Sequence, residues 1–222
     1  NLKLAQENQD LVIATVSHEL RTPLHGILGL IQMIEPKIKE PDTLEYLSLC
    51  KDNAELLLNL VNSLLDNQQI KYGEIKLNPS KFQIQTFVKS ILNLFTFPAN
   101  QKNIRLSAVI DDHVPSDLIT DENRLKQILI NLVSNALKFT FSGEITIEIS
   151  QSQENPDSLR FSVSDTGRGI KQTDISKLFK MYSRGDARVS ASQSGTGLGL
   201  WICKQLCMKM GGDISVRSIQ GQ

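Results

Sequence analysis

Several groups of residues in this chain could do chemistry. The first is Ser17-His18-Glu19-Leu20-Arg21-Thr22-Pro23-Leu24, where an imidazole has the Glu19 carboxylate beside it and the Thr22 hydroxyl one helical turn on. An imidazole nitrogen is a competent nucleophile near neutral pH, and an adjacent carboxylate can take up the proton it sheds. His25 lies on nearly the same helical face but has no acidic neighbour. A lone helical histidine is more often simply solvated, so His18 gains meaning only from what lies far downstream.

There, Arg124, Asn131, Asn135 and Lys138 recur at steps of seven, four and three. That spacing lines them up along one side of a helix, roughly 120° from an apolar stripe of Leu125, Ile128, Leu129, Leu132, Val133 and Ala136. Two carboxamides and an ammonium in a row suit a hydrated Mg2+ ion and a polyphosphate, because Mg2+ prefers oxygen ligands and lysine offers a point charge. A merely solvated flank would carry Glu and Lys in preference to two asparagines, which are poor helix formers. Next, Val163-Ser164-Asp165-Thr166-Gly167-Arg168-Gly169-Ile170 reads as a strand running into a glycine turn. A carboxylate at that point can accept from an exocyclic amine such as that of adenine, although turns of this composition are common. Finally, Ser194-Gly195-Thr196-Gly197-Leu198-Gly199-Leu200 leads straight into a helix, so its glycines let phosphate approach oriented N–H groups. Its spacing is not that of the dinucleotide fingerprint. The polar segment 183–194 before it is a lid candidate.

The elements that must position these residues follow from hydrophobic period. Ile13, Val16, Leu20, Leu24, Ile27, Ile31 and Ile34 recur at threes and fours and predict one buried stripe on a helix over 1–35, kinked at Pro23 just past the histidine. Pro36 and Pro41 bracket a turn, and a second helix is expected from Asp42, an N-cap residue type, to about Lys71. With two apolar faces, that hairpin has too much apolar surface to stand alone, and two copies forming a four-helix bundle is the simplest solution. Beyond Asn78 the periods mix. Strands are expected at Lys81–Ile84, Ile104–Ile110 and Asp213–Arg217, and helices at Thr86–Phe97, from Asp121, and near Leu198–Met210. Ile145, Ile147 and Ile149, then Leu159, Phe161 and Val163, alternate with polar residues on either side of a polar loop, a hairpin signal. The mixture predicts an α/β sandwich with helices on one side of a sheet.

Composition narrows the field. The 222 residues are 40% hydrophobic and 22% charged with zero formal net charge, an ordinary globular balance. Nothing here is basic enough to make nucleic acid or an anionic membrane the main partner. Cys50, Cys203 and Cys207 lack paired spacing and a matching histidine cluster, so they read as reduced thiols of a cytoplasmic protein. No apolar run is long enough to span a bilayer. Without a signal peptide or initiator Met, the chain reads as part of a longer one, and any membrane anchor would lie in the remainder.

In this order, SHELRTPL, NLVSNALKFT, DTGRGI, LFKMYSR and GTGLGLWI resemble the H, N, G1, F and G2 boxes of the sensor histidine kinases of two-component systems. The resemblance covers nearly the whole chain, and the wording HELRTPLHGI and NALKFT is similar to the hybrid subgroup, whose members carry an attached receiver domain. It implies an α+β architecture: a dimerisation and histidine-phosphotransfer hairpin at 1–72, forming a four-helix bundle in a homodimer, then an ATP-binding α/β sandwich of the Bergerat type at 78–222. It further implies that His18 accepts the γ-phosphoryl group of ATP with Glu19 as base, and passes it to an aspartate of a receiver domain. Thr22, in an E-x-x-T pattern, would position water for removing phosphate from that receiver. Asn135 and Asn131 would hold Mg2+, with Lys138 on the phosphates. Asp165 would recognise adenine, with Gly167 and Gly169 permitting its approach. Gly195, Gly197, Leu198 and Gly199 would shape the lid hinge and phosphate contact, and Arg184 would stabilise the γ-phosphate.

Two features depart from that pattern. Tyr182 replaces the usual second Phe of the F box, and relatives go on to one further strand after the position of Gln222, so the sheet is expected to lack its final member. Two other functions compete. An ATPase of the gyrase, mismatch-repair or chaperone kind shares the nucleotide boxes but places a water-activating Glu four residues before the metal-binding Asn, where this chain has Asn131, whose amide is no base. A catalytically silent dimerising scaffold would not need the polar residues that are all present.

Overall fold

The apolar period of the first segment builds one long helix. In the computed structural model of the chain, α1 runs over Leu2–Ile34 and passes through Pro23 without interruption. The structure describes residues 2–44, 46–48, 50–51, 54, 57–58, 61, 76–152, 155, 158–180 and 198–221, with the side chains of 2–15, 17 and 18 left aside. A 3-10 turn, Glu35–Lys37, carries Pro36 at its start and gives way to extended Ile38. The next helix, α2, begins at Pro41, and its described residues up to 61 are all helical. Its first bond joins the Leu44 N–H to the Glu40 carbonyl at 3.0 Å. The cap is therefore Glu40 and not Asp42, because Pro41 is suited to the first helical position, where its missing donor is no loss.

Leu24, Ala54 and Val61 are buried together, with Leu28 and Leu58 packed against them. The stripe expected along α1 therefore splits in two. Leu24 and Ile31 are buried, whereas Val16, Leu20, Ile27 and Ile34 are 41–48% exposed in the single chain, beside Leu30 and Met33. A seven-residue step on a helix advances by about 700°, so residues 20, 27 and 34 form their own row beside 24 and 31. From the second row, Leu24 packs with Ala54 and Val61 of α2.

The chain divides into two compact units, Asn1–Ile75 and Lys76–Gln222. In the second, β1 (Ser80–Gln83) leads directly into α3 (Ile84–Gln101), followed by β2 (Ile104–Ile110), β3 (Asp117–Thr120), α4 (Glu122–Phe139), β4 (Gly143–Gln151), β5 (Leu159–Asp165), α5 (Gln172–Ile175) and α6 (Gly199–Lys209). The strands form a β1–β3 ribbon and a three-stranded sheet ordered β2-β4-β5. β2 and β4 are parallel, with α4 in the connection between them, and β4 and β5 form the expected antiparallel hairpin. Register places Ala108, Ile147 and Val163 in one row and Ile110, Ile149 and Phe161 in the next. These belong to the core with Phe87, Ile91, Leu125, Leu129 and Val133 from α3 and α4. The opposite face is polar: Ser107 and Thr146 hydroxyls meet across β2 and β4 at 3.2 Å. That alternation is why the helices cover one side only.

Several element ends differ from the sequence expectation. α3 continues four residues past Phe97, through Pro98. The bond that Pro98 cannot make would go to the carbonyl of Leu94, a 53%-exposed residue whose backbone water can serve, so the helix survives. It ends on Asn103 at φ 55°, the left-handed cap that asparagine tolerates. The sequence gives no sign of β3: at four residues, with only Leu118 and Thr120 turned inward, it is too short to show a period. The strand expected at Asp213–Arg217 does not form. α6 stops in a Schellman motif, Gly211 N–H to Met208 O and Gly212 N–H to Cys207 O, and residues 212–219 run on without joining a ladder. Asp213 pairs with Lys204 of α6 at 3.3 Å, and two bonds tie the end of the chain to the 168–170 turn, Ser218 Oγ accepting from Ile170 N–H and Gly221 N–H donating to Arg168 O.

Cys203 of α6 is fully buried, and burial, then the neighbouring Cys207, pushes its thiol up to about 12. A thiol raised in the folded state contributes stability that is complete below its ordinary value of 9.0 and is lost as pH climbs through about 12. At pH 8, a neutral thiol reagent should modify exposed Cys50 first and Cys203 only at the rate of unfolding. Equal labelling rates, resolved by peptide mass analysis, would contradict the packing of α6.

Candidate functional site

The site forms around the last turn of α4, whose carbonyls have no partners within the helix. Three donors supply them. Thr140 N–H reaches Ala136 O at 2.9 Å, Lys102 Nζ of the α3 C-cap reaches Leu137 O at 2.8 Å, and Arg168 N–H reaches Phe139 O at 3.4 Å. The third bond ties the glycine turn after β5 to the helix. Gly167 lies so close that a methyl group there would stand 2.7 Å from Phe139 O and 2.6 Å from Asp165 Oδ1. Gly169, at φ 68°, has the Ile219 carbonyl where a side chain would project. These are steric requirements for glycine, beyond flexibility.

Asp165 ends β5 opposite Ile145, on the helix-facing side of the sheet. One of its oxygens, Oδ1, accepts from Gly167 N–H at 2.9 Å and from the hydroxyl of fully buried Thr140 at 3.4 Å. The carboxylate is thereby fixed in orientation while remaining exposed, which is what a specific acceptor needs. At the other end of the helix, buried Asp121 caps α4 by accepting from Arg124 N–H at 3.0 Å, and its second oxygen holds Asn78 N–H at 2.8 Å.

The predicted row on α4 is divided by its neighbours. Arg124 donates to Gln127 Oε1 at 2.9 Å. Asn131 turns to α6: its Oδ1 would lie 3.1 Å from a Cβ at position 199, while the Cys203 thiol donates to Ile128 O at 3.9 Å. Asn135, one turn on, is half-buried. Lys138 is half-buried as well, and desolvation, then the positive charge of Arg168, lowers its ammonium below the usual lysine range. Its Nζ lies 5.1 Å from the centre of the Phe139 ring, and the Arg168 guanidinium lies 5.0 Å from the same centre. Among the described residues no three His, Cys, Asp or Glu side chains converge to cage a metal. A cation here would depend on carboxamide oxygen and water, which fits Mg2+ better than a transition metal.

The structure thus brings Asp165, Gly167 and Lys138 to the C-terminal end of α4, and sets Asn131 against Gly199 at the start of α6. Gly169 is part of the same turn, and Leu198, buried, precedes α6. His18, Glu19 and Thr22 lie on α1 in the other unit, with Glu19 and Thr22 exposed and the His18 side chain outside the described residues. Arg184, Gly195, Gly197 and the lid candidate 183–194 also fall outside them. Sequence reasoning misses Thr140 and the side chain of Arg168. Both sit inside legible motifs, but one reads as a helix-ending residue and the other as a turn filler.

Residues 8–73 match the family "His Kinase A (phospho-acceptor) domain", and residues 120–222 match "Histidine kinase-, DNA gyrase B-, and HSP90-like ATPase". With both domains in this order, the chain belongs to the histidine kinases. It is 39% identical to the sensor histidine kinase GacS of Pseudomonas protegens over 95% of its own length and 23% of that protein. It is also 37% identical to hybrid signal transduction histidine kinase B of Dictyostelium discoideum over 96% of its length and 11% of that protein. The crystal structure of full-length ShkA in complex with AMPPNP superposes with a TM-score of 0.71 at 31% identity, over 95% of this chain and 43% of that one. The chain therefore spans about a quarter or less of these two curated relatives.

Gly167→Ala tests the steric claim. The added methyl meets a helix-terminal carbonyl that cannot withdraw, so the substitution should cost about 1–3 kcal/mol and lower the Tm of the second unit. Gly26→Ala, where nothing lies within 4 Å of the new Cβ, should leave melting unchanged or slightly raised. Calorimetry showing no loss for Gly167→Ala would mean that the turn does not abut α4.

Proposed function

We propose that this chain is the catalytic core of an ATP-dependent protein-histidine kinase, which phosphorylates its own His18 and passes the group to an aspartate of a receiver domain. The observation that carries the reading is Asp165. It is an exposed carboxylate held by Thr140 and Gly167 at one end of a helix that also presents Asn135 and Lys138. Asp165 accepts the exocyclic amine of adenine, Gly167 and Gly169 keep the approach open, and Lys138 meets the phosphates. Asn135 is the Mg2+ ligand, with Asn131 contributing beside α6. The ion, when bound, neutralises charge on the phosphate oxygens. Arg184 and the turn Gly195-Thr196-Gly197-Leu198-Gly199 complete the phosphate contacts and lid hinge. Phosphoryl transfer needs mainly positioning and charge neutralisation, and these residues supply both.

In the reaction, a His18 ring nitrogen forms a P–N bond as the bond from the γ-phosphorus to the β,γ-bridging oxygen breaks, and the proton of the nitrogen goes to Glu19. Thr22 serves the reverse traffic, positioning water against a phosphorylated receiver. Residues 1–72 form the dimerisation and phosphotransfer hairpin, and residues 78–222 the nucleotide-binding domain. The row Val16, Leu20, Ile27 and Ile34 fits a second copy of the hairpin, since an apolar row that long is too costly to leave in water. Among the described residues no helix is long and apolar enough to cross a membrane, and the fragment works in the cytoplasm, where ATP is found. The likeness to a hybrid kinase favours a receiver in the same full-length chain. The neutral amide of Asn131, close over Gly199 of α6 where gyrase-like ATPases need a glutamate base, disfavours simple ATP hydrolysis.

Incubation with γ-labelled ATP and Mg2+ tests the reading. The protein should acquire an acid-labile, alkali-stable label that His18→Gln abolishes and His25→Gln leaves largely intact. Asp165→Asn should weaken binding of a fluorescent ATP analogue by about ten-fold or more. Label that persists in His18→Gln and disappears in His25→Gln would reverse the assignment.

A further inference from the structure

Resting on the nucleotide site proposed above, the geometry points to Arg168 as a second phosphate-binding cation, paired with Lys138 across the Phe139 ring. The two cations lie 5.0 and 5.1 Å from the centre of one aromatic ring, and the Lys138 ammonium feels the charge of Arg168. Neither makes an ion pair with a carboxylate among the described residues, whereas Lys51, Lys81, Arg105, Lys177 and Lys204 all do. Lys138 is half-buried and Arg168 exposed, and the repulsion between the two like charges is relieved by a dianionic or trianionic ligand that meets both. The Arg168 backbone is fixed at both ends, its N–H on Phe139 O and its carbonyl accepting from Gly221 N–H. The ring then restrains the guanidinium, so little side-chain freedom is lost on binding. Arg168 is only three residues from Asp165 and lies on the turn that closes α4. A nucleotide whose base is held by Asp165 therefore has its ribose and phosphates within reach of this pair. At a bidentate site arginine also does what lysine does not, offering two parallel N–H groups to phosphate oxygens.

Binding of ATP, ADP and adenosine to the full chain in the presence of Mg2+, by calorimetry at several salt concentrations, separates the possibilities. Arg168→Gln should weaken ATP and ADP by about ten-fold while leaving adenosine unchanged, and should flatten the salt dependence of ATP binding. Arg168→Lys should recover part of the loss, because it keeps the charge without the fork. Equal losses for all three ligands, or none for any, would overturn the assignment and leave Arg168 as a cap on the Phe139 ring. Failure of the unaltered protein to bind ATP or adenosine would instead refute the nucleotide site itself. Should Arg168→Gln melt below the assay temperature, the Arg168→Lys protein decides alone: ATP affinity reduced with adenosine affinity intact supports the clamp, and identical ratios refute it.

Discussion

A helix of eighteen residues leaves its last carbonyls facing outward, and where those of α4 find their donors decides the shape of the whole second unit. One donor is the side chain at the end of α3, one is the cap residue Thr140, and one is the backbone of the glycine turn after β5. Layer, helix and loop therefore meet at a single point. The core of Ile147, Ile149, Leu129 and Val133 holds α4 on the sheet, but hydrophobic contact is non-directional and would tolerate sliding. The hydrogen bonds at the C-terminal end fix the register between helix and turn. Asp165, Gly167 and Lys138 owe their mutual placement to that register.

The same region explains why glycine is required where it is. Gly167 has no room for a side chain because the helix carbonyl is already there, and Gly169 has none because the C-terminal segment crosses it. A motif that reads in the sequence as loose backbone is, in the folded chain, a tightly packed junction. Its carboxylate is correspondingly well oriented, with one oxygen committed to Thr140 and Gly167 while the group as a whole stays exposed for recognition.

Much of this is legible from residue order alone. The alternation of Ile145, Ile147 and Ile149 against Leu159, Phe161 and Val163 places a hairpin that the structure contains, and β2 has the bounds its apolar pattern suggests. What escapes is decided by partners distant in sequence. β3 exists because β1 offers it a ladder, and four residues cannot advertise that. The segment after Gly212 alternates like a strand but is held by Lys204 of α6 and by the 168–170 turn instead of a ladder. The stripe on α1 looks uniform, yet Leu24 and Ile31 are buried while Val16, Leu20, Ile27 and Ile34 are exposed, since a row drawn on one helix cannot show which edge its neighbour touches. Asn131 and Asn135 likewise share a helix face, and it takes the position of α6 to tell them apart.

Asn131 has a further chemical meaning. Its amide oxygen closes on the first turn of α6, over Gly199. A glutamate there would bring a charge into a half-buried place and would crowd the first turn of α6. In the nucleotide site proposed above, that neutral amide would leave a bound ATP without a base beside it to activate water, and the γ-phosphoryl group would wait for an acceptor side chain.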